Sequence, residues 1–525
     1  MTNNPQSTKL QNAEFLHLML MGTGSDVGKS LIVAGLCRLF ANKGHNIAPF
    51  KPQNMSNNAA IAYIYDFDQQ KISQDMGEIG RAQWLQAKAA KLAPTTNMNP
   101  ILLKPESETG SQVVLNGKKY KSLKAKDYYQ HKPEFLSHIL QAYKSLQQNH
   151  NMILVEGAGS PAETNLRQND IANMGFAEKV DIPVVLIGDI HRGGVIASIV
   201  GTYQVMSDAD RRQIKAFIIN KFRGDISLFD DGIKQIEKMT GWKCLGILPH
   251  FEDAHLLPAE DSMALEKPLE KPLKSSQKTP KNDKKQPKNA KKLLILALKM
   301  PHIANFDDLD PLFQHENVEL KLIKSGVLPP NADLIILPGS KSTIADLQYL
   351  YAQGWDIDIK SHIRQGGQLL GICGGFQMLG NSISDPHLHE GNQKFIKALG
   401  LLDIETEISA EKSTRLIEVE DLTGQKVVAY EIHMGKTTGK DISNPMFIKQ
   451  NIGLGAMSKN ATIRGSYLHG IFASDAYREG FLQDLGADKT QDNYNKIIDK
   501  TLNKLAIHIE KHLNIKDMLN ISANK

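Results

Sequence analysis

The stretch that decides the fold of the first half is FLHLMLMGTGSDVGKSLIVAGLCRLF, residues 15–40. It reads as a buried strand, a glycine-rich turn and an apolar helix, in that order. Glycines let the backbone wrap around phosphate oxygens, and the helix N-terminus supplies N–H groups and the positive end of its dipole. Lys29 can reach terminal phosphates, and the hydroxyl of Ser30 can bind magnesium. The stretch therefore predicts a nucleoside triphosphate site built from Gly22, Gly24, Gly28, Lys29 and Ser30.

Three later apolar runs end in polar residues that should meet at one edge of the same sheet. MILVEGAGS ends a strand at Glu156, PVVLIGD ends one at Asp189, and IKAFIIN ends one at Asn220. Runs that are apolar at every residue are typical of parallel strands buried on both faces, and ligands gather at their carboxyl edge. We therefore expect Ser30, Glu156 and Asp189 to hold magnesium and Asn220 to contact the nucleotide. The alternative is that each strand-end carboxylate is only a cap.

The second half contains GQLLGICGGFQMLG, residues 367–380, which places Cys373 between an apolar strand and a helix. A nucleophile on such a sharp strand-to-helix turn is exposed to substrate. The flanking glycines, Gly371, Gly374 and Gly375, permit a strained backbone and a close approach. Cys37 and Cys244 lack this setting, so we interpret them as inert. The pattern predicts that Cys373 is a nucleophile.

A nucleophilic thiol needs a base, and two histidines are candidates. His469 lies in RGSYLHGIF, after a predicted strand, and His433 lies in YEIHMG. The turn LPGS, residues 337–340, follows another strand, and its backbone N–H groups can form an oxyanion hole. A thiol, an imidazole and oxyanion donors together indicate acyl transfer from an amide. Position alone leaves both histidines open, because a histidine near apolar residues is more often structural.

The basic charge of the chain is confined to one segment. The 525 residues carry a formal net charge of +5, but residues 266–292 hold ten lysines, three acidic residues and four prolines. That segment carries +7 and the remainder −2. It cannot bury enough apolar surface to fold, so we predict a flexible basic linker at 263–292. It separates an ATPase domain at 14–262 from a domain at 293–515 that ends in an amphipathic packing helix. A tether that binds polyanions is the alternative interpretation.

The composition excludes several classes of protein and indicates the cellular compartment. An apolar fraction of 41% and a charged fraction of 23% are ordinary for globular proteins and exclude collagen, wholesale disorder and a disulfide scaffold. Three cysteines far apart in sequence form no CxxC metal motif and favour a reducing compartment. The apolar run at the start of the first strand is too short to span a bilayer. We expect a cytoplasmic protein that binds small molecules, with neither a membrane nor a nucleic-acid partner.

Several longer blocks resemble the cobyric acid synthase family, the glutamine-hydrolysing amidotransferases of cobalamin biosynthesis. The most specific blocks are FKPQNMSNNA (50–59), GEIGRAQ (77–83), MNPILLKP (98–105), TGSQVVLNGK (109–118), GSPAETNLRQNDIANMG (159–175) and RGGVIASIVGT (192–202). VEGAGS and the loop spacing are similar to dethiobiotin synthetase, and the second half is similar to class I glutamine amidotransferase domains. The resemblance implies an α/β protein with two doubly wound parallel-sheet domains, the first P-loop NTPase-like and the second class I glutamine amidotransferase-like.

The resemblance also implies a reaction. ATP with Mg²⁺ would activate the b, d, e and g carboxylates of cobyrinic acid a,c-diamide, with or without its adenosyl ligand, as acyl phosphates. Ammonia from glutamine would convert them to the amides of (adenosyl)cobyric acid. Cys373 would be the glutaminase nucleophile and His469 its base. The implied oxyanion and glutamine-binding residues are Gly339, Gly374 and Gln377. The implied corrinoid-binding residues are Glu78, Arg81 and Gln83, for which a solvated helical face is the alternative.

Three departures from the family pattern and three alternative functions accompany this interpretation, and one departure is a linker that is longer and more basic than the family typically shows. Class I domains usually carry His-x-Glu, but Ile471 follows His469 at that spacing, so we expect a Cys–His dyad or an orienting group from elsewhere. His191 stands where the family usually has aspartate. The enzyme alternatives are cobyrinic acid a,c-diamide synthase and another glutamine-dependent carboxylate amidotransferase. The alternative of a different class is a partitioning-type ATPase switch. Assembly into a homo-oligomer is left open.

Overall fold

A computed structural model describes residues 15–106, 110–260, 292–491 and 493–523. The chain divides into two compact units, one comprising Met1–Glu260 with Lys496–Lys525 and the other Asp261–Asn495. The predicted linker at 263–292 lies outside the described residues, except for its last residue.

The first unit is built on a parallel sheet. Its strands are β1 (Leu16–Gly22), β2 (Ile47–Phe50), β3 (Gln53–Met55), β4 (Ala59–Asp66), β5 (Lys71–Gly80), β6 (Ile101–Pro105), β7 (Gly110–Leu115), β8 (Lys118–Lys124), β9 (Met152–Glu156), β10 (Val184–Asp189), β11 (Ile214–Phe222) and β12 (Lys243–Pro249). Six of them form a sheet in the order β12-β11-β10-β1-β9-β2, with every pair parallel. The central strands are buried on both faces, as their uninterrupted apolar runs predict.

Helices cover this sheet, and a smaller strand-rich region is inserted between β2 and β9. The helices are α1 (Lys29–Asn42), α2 (Arg81–Ala89), α3 (Ala125–Asn149), α4 (Met174–Val180), α5 (Val195–Val205), α6 (Asp208–Gln213) and α7 (Asp230–Thr240). The inserted strands pair as a sheet β3-β6-β7-β8 and a hairpin β4–β5. Because β1 lies between β9 and β10, the carboxyl ends of these three strands meet beside the start of α1.

The second unit contains a mostly parallel sheet and a mostly antiparallel one. Its strands are β13 (Leu293–Leu298), β14 (Val318–Ile323), β15 (Leu334–Leu337), β16 (Gln368–Ile372), β17 (Ser382–Ser384), β18 (Phe395–Lys397), β19 (Ile404–Asp421), β20 (Lys426–Gly439), β21 (Phe447–Lys449), β22 (Ile452–Leu454), β23 (Ala456–Met457), β24 (Ile463–Ser466) and β25 (Leu468–His469). The first sheet runs β14-β13-β15-β16-β24-β23, parallel except at β23. The second runs β18-β17-β19-β20-β25 and was not predicted.

The helices of the second unit connect these strands and include the turn that carries Cys373. They are α8 (Asp310–Gln314), α9 (Thr343–Ala352), α10 (Trp355–Arg364), α11 (Gly374–Met378) and α12 (Asp475–Asp484). Both units are therefore α/β with a parallel sheet at their centre, which confirms the predicted fold class.

The chain ends in two helices, α13 (Tyr494–His512) and α14 (Ile515–Ser522). The predicted apolar stripe on α13 is buried, but it packs on the first unit, whereas the sequence analysis placed it in the second domain. A Cβ on Gly35 of α1 would lie 2.4 Å from Cδ1 of Ile509, and Arg38 Nη2 lies 2.9 Å from Asp499 Oδ1. An amphipathic pattern identifies the buried face but not the surface that covers it. Among the described residues, no helix is long and apolar enough to cross a membrane.

Two candidate active sites

The phosphate-binding loop follows β1 in the first unit and is held in shape by its own lysine and by β11. Nζ of Lys29 donates to the carbonyl oxygens of Gly24 at 3.1 Å and Gly159 at 3.2 Å. Gly28 has φ +94°, and a Cβ there would lie 2.4 Å from Nδ2 of Asn220. That amide donates to the carbonyl oxygen of Val27 at 2.8 Å. Asn220 thus contacts the loop backbone, and the loop depends on glycine at residue 28.

A buried polar cluster adjoins the first turn of α1. The hydroxyl oxygen of Ser30 lies 2.7 Å from Oε1 of Glu156 and within hydrogen-bond distance of the Glu260 carboxylate, and its one proton is shared between the two. Nζ of Lys51 lies 2.9 Å from Glu156 Oε1 and 2.7 Å from Glu260 Oε1. Gln86 Nε2 donates to Glu156 Oε2 at 2.6 Å. Burial opposes the charge on Lys51, but the two carboxylates outweigh it and raise its pKa. Lys51 therefore stays a cation beside the loop.

The predicted metal ligands are only partly brought together. Ser30 and Glu156 are in contact, and hydroxyl and carboxylate oxygens are the donors that magnesium prefers, so this pair fits the ion. Asp189 instead lies 2.8 Å from Nζ of Lys221 and accepts from the backbone N–H of His191 at 2.8 Å. Within the described ranges no three His, Cys, Asp or Glu side chains cluster as a metal site. Nucleotide phosphates and water would have to complete the coordination.

The three corrinoid-binding candidates lie in the inserted region and are buried, which excludes the solvated helical face. Glu78 is 1% exposed and forms an ion pair with Lys104. Arg81 donates to the carbonyl oxygen of Ala59 at 3.2 Å. Oε1 of Gln83 accepts from Asn54 at 2.9 Å, while its buried Nε2 has no hydrogen-bond partner in the described part of the chain.

In the second unit Cys373 occupies the predicted elbow between β16 and α11. Its φ and ψ are 54° and −107°, a conformation that non-glycine residues rarely adopt. The turn is so tight that a Cβ on Gly375 would lie 1.9 Å from the carbonyl oxygen of Leu337. The thiol lies 3.6 Å from the carbonyl oxygen of Ile432. Strained backbone of this kind is concentrated at functional sites.

His469 is the histidine that reaches Cys373. It is 1% exposed, and the Cys373 thiol is close enough to raise its pKa. Its Nδ1 lies 2.7 Å from Oδ2 of Asp308, whose Oδ1 accepts from the backbone N–H of Gly470 at 2.6 Å. Burial lowers the pKa of His469, but the Asp308 carboxylate and the thiol outweigh it and raise the pKa to about 10. The geometry is that of a Cys–His–Asp triad.

Aromatic and amide side chains hold this triad in place. The ring of Tyr430 stacks on His469 with centroids 5.2 Å apart, and its hydroxyl accepts from Asn305 at 3.1 Å. Gln377 donates to the hydroxyl of Tyr467 at 3.2 Å and accepts from Thr343 at 3.0 Å. These contacts fix the imidazole ring and the Gln377 amide.

The two predicted oxyanion glycines border the same site. A Cβ on Gly339 would lie 2.9 Å from Cε1 of His469, and a Cβ on Gly374 would lie 2.9 Å from the backbone nitrogen of Ser340. The LPGS turn therefore passes directly beside the imidazole and the elbow. A Cβ at Gly339 would crowd the imidazole, and a Cβ at Gly374 would crowd the LPGS turn.

The other histidine and cysteine candidates have different surroundings. His433 Nδ1 contacts the carbonyl oxygen of Gly435 at 3.0 Å, and its ring stacks on Tyr467. Burial raises the pKa of the Cys37 thiol, and it raises the pKa of Cys244 to about 11. Both thiols are therefore protonated at neutral pH.

Four polar residues of these sites were missed from the sequence: Lys51, Gln86, Glu260 and Asp308. Lys51 directly follows β2 at the sheet edge, so strand-end position would have been a usable signal. Asp308 lies in ANFDDLD, which follows β13 after a short loop and offers three aspartates with nothing to distinguish them. Gln86 and Glu260 carry no sequence signal of their own.

A phosphate-binding loop and a cysteine–histidine pair, each built on its own parallel sheet, define an ATP-dependent, glutamine-hydrolysing amidotransferase. Residues 18–264 match the CobQ/CobB/MinD/ParA nucleotide binding domain, and residues 294–477 match the CobB/CobQ-like glutamine amidotransferase domain. The chain is 49% identical over 498 residues to the cobyric acid synthase of Rhizobium johnstonii, covering 94% of this chain and 96% of that one. It is 48% identical over 506 residues to that of a Jannaschia species, covering 96% and 99%.

The chain therefore belongs to the cobyric acid synthase family. It is an enzyme that uses ATP and glutamine for amidation in cobalamin biosynthesis, which confirms the family resemblance and excludes the ATPase switch as its function.

Proposed function

We propose that this enzyme amidates the b, d, e and g carboxylates of (adenosyl)cobyrinic acid a,c-diamide, with an acyl phosphate as the activated species. The observation that carries the proposal is that one chain holds a phosphate-binding loop with a buried Lys51 and a separate Cys373–His469 pair. The first can activate a carboxylate and the second can release ammonia. Activation is needed because a carboxylate is a poor electrophile. The glutaminase supplies ammonia within the protein because free ammonia is mostly protonated at neutral pH and is then not nucleophilic.

The glutaminase half-reaction follows from the triad geometry. The Cys373 thiolate attacks the side-chain amide carbon of glutamine, and His469 delivers a proton to the departing nitrogen as the C–N bond breaks. His469 then takes a proton from the water that hydrolyses the thioester to glutamate. We assign stabilisation of the oxyanion to the backbone N–H groups of Gly339 and Gly374, and binding of the glutamine side chain to the amide of Gln377.

The ATPase half-reaction uses the cluster beside α1. A corrinoid carboxylate oxygen attacks the γ-phosphorus of ATP, ADP leaves, and ammonia then displaces phosphate from the acyl phosphate to leave the amide. Lys29 and Lys51 would stabilise the negative charge on the transferring phosphoryl group. Magnesium, held by Ser30 and Glu156, would supply further charge neutralisation when bound.

The inserted region of residues 53–124 is our candidate for recognising the corrinoid. Helix α2 links corrinoid recognition to the ATP-binding cluster. Its Gln86 donates to Glu156, and its Gln83 lies one turn earlier on the same helix. The buried Nε2 of Gln83 can donate a hydrogen bond to a peripheral carboxylate or amide oxygen of the macrocycle. Glu78 and Arg81 are proposed to take part in the same recognition.

The proposal is tested with corrinoid substrates whose peripheral carboxylates are labelled with ¹⁸O. With ATP and glutamine, transfer of label into inorganic phosphate at each amidation is expected, because the acyl phosphate keeps the attacking carboxylate oxygen on phosphorus. Amidation without labelled phosphate would contradict the acyl phosphate.

The remaining enzyme alternative is cobyrinic acid a,c-diamide synthase. Competition between cobyrinic acid and its a,c-diamide, followed by mass spectrometry, separates the two. Preferential turnover of the a,c-diamide is expected, and turnover of cobyrinic acid alone would replace the proposal with this alternative.

A further inference from the structure

Glu260 is the last described residue before the gap at 261–291, and its side chain belongs to the polar cluster beside the phosphate-binding loop. Its carboxylate accepts from the Ser30 hydroxyl and lies 2.7 Å from Nζ of Lys51. Its backbone carbonyl accepts from Ser56 at 2.8 Å, and the preceding carbonyl, of Ala259, accepts from Asn58 at 2.8 Å. These backbone contacts fix where the side chain points.

We propose that Glu260 is a ligand of the nucleotide-bound divalent cation, together with Ser30 and Glu156. This inference rests on the proposed ATP-binding function of the loop and deepens it. It also replaces the third ligand predicted from the sequence, Asp189, whose carboxylate contacts Lys221 and the backbone N–H of His191 rather than the Ser30 hydroxyl.

Oxygens of three side chains, Ser30, Glu156 and Glu260, converge on one point and can serve as neighbouring ligands of one octahedral ion. Neighbouring ligands at 2.0–2.1 Å from magnesium are about 2.9 Å apart. The Ser30 hydroxyl oxygen lies 2.7 Å from Glu156 Oε1 and is also in hydrogen-bond contact with a Glu260 oxygen. Magnesium typically takes one or two protein carboxylates and completes its shell with phosphates and water, which is the set that these residues leave open.

Charge and exposure agree with a ligand role. Lys51 already places a cation between Glu156 and Glu260, which shows that the two carboxylates converge on positive charge. The side chain of Glu156 is 1% exposed, whereas that of Glu260 is 29% exposed. Glu260 therefore lies on the open side of the cluster, from which a nucleotide with its ion can enter.

The test measures how strongly a divalent ion tightens nucleotide binding in the full chain. The affinity for the non-hydrolysable ATP analogue AMP-PNP is measured by calorimetry with Mn²⁺ and again with EDTA, and the ratio is the metal coupling. Loss of even an outer-sphere partner costs a metal site about 10–100-fold in affinity, so Glu260→Gln is expected to reduce the coupling at least about 10-fold. Glu252→Gln, at an exposed glutamate eight residues earlier, should leave it unchanged.

The outcomes separate the inference from the function on which it rests. If Glu260 is only a counter-ion of Lys51 and not a ligand, Glu260→Gln should bind AMP-PNP more tightly both with Mn²⁺ and with EDTA. The ratio of the two affinities would then be unchanged, and that result would overturn the inference alone. Wild-type chain that binds AMP-PNP under neither condition would overturn the proposed function and the inference with it. Glu260→Asp keeps a carboxylate and should retain part of the coupling, which covers the case in which the amide variant does not fold.

Discussion

Oδ2 of Asp308 lies 2.7 Å from Nδ1 of His469, across 161 residues of sequence. The other carboxylate oxygen accepts from the backbone N–H of Gly470 at 2.6 Å, so both oxygens of the Asp308 carboxylate are held by hydrogen bonds. This contact supplies the orienting group that class I domains take from His-x-Glu and that this chain lacks at Ile471. It also holds positive charge on the imidazole next to the thiol.

Asp308→Asn should slow glutamine hydrolysis by about 10²-fold, because an orienting carboxylate sets both the ring position and its protonation. The pKa of His469 is raised to about 10, and removing the carboxylate leaves burial, which lowers it. His469 then loses its proton at a lower pH, so the alkaline limb of kcat/KM for glutaminase activity should move downward. The measurement is glutamate release across pH.

Asp484→Asn is the matched control, because Asp484 is exposed in the same unit and should leave the profile unchanged. An alkaline limb that stays in place in Asp308→Asn would mean that Asp308 only packs against the ring. Loss of amidation with added ammonium salt would indicate a folding defect instead.

Cys373→Ala should abolish glutamine-dependent amidation and retain amidation with added ammonium salt. The variant removes the nucleophile and leaves the carboxylate-activating unit intact. Cys244→Ala is the control and should keep both activities, since burial raises the pKa of that thiol to about 11 and it lies outside the triad. The measurement is corrinoid amide formation with each nitrogen source. Loss of both activities in Cys373→Ala would show that the cysteine is structural.

Lys29→Ala should remove amidation with either nitrogen source, because carboxylate activation precedes both. A loss of about 10²–10³-fold or more is expected when a charge-stabilising donor is removed. Lys43→Ala, at the exposed end of the same helix, removes only a surface ion pair with Glu510 and should have little effect. ADP formation with the corrinoid present is the readout. Ammonium-dependent activity that survives in Lys29→Ala would contradict the assignment of the loop.

Local patterns predicted the parts of the sites that one stretch of chain builds. The strand, loop and helix around Lys29 and the elbow around Cys373 each lie within about two dozen consecutive residues, so composition and spacing suffice. The glycines around Cys373 were also interpreted correctly from the sequence as required for a tight turn. The structure gives the reason, because the turn leaves no room for a Cβ at Gly375.

Parts that depend on long-range pairing were not predictable. Asp308 becomes a partner of His469 only once β13, β20 and β25 are assembled, and nothing in ANFDDLD marks one aspartate above the others. Asp189 and Glu156 looked equivalent as strand ends, yet the neighbouring strand supplies Lys221 to one and not to the other. The antiparallel sheet of the second unit was missed although its sequence carries signals, because β19 alternates buried and exposed residues and Gly424 lies in the turn between β19 and β20.

The packing of α13 on the first unit leads to a stability prediction. Ile509 is fully buried and its Cδ1 would be only 2.4 Å from a Cβ on Gly35, the glycine that lets the two helices approach. Ile509→Ala should destabilise the first unit by about 2–5 kcal/mol, through lost apolar burial and the cavity that remains. Ile507→Ala on the same helix is the control, because Ile507 is 65% exposed and should shift stability by less than about 0.5 kcal/mol. The free energy of unfolding is measured by denaturant titration, with bound AMP-PNP reporting on the first unit. Equal effects of the two variants would mean that α13 is not part of that unit, and the phosphate-loop helix α1 would then need another cover for its apolar face.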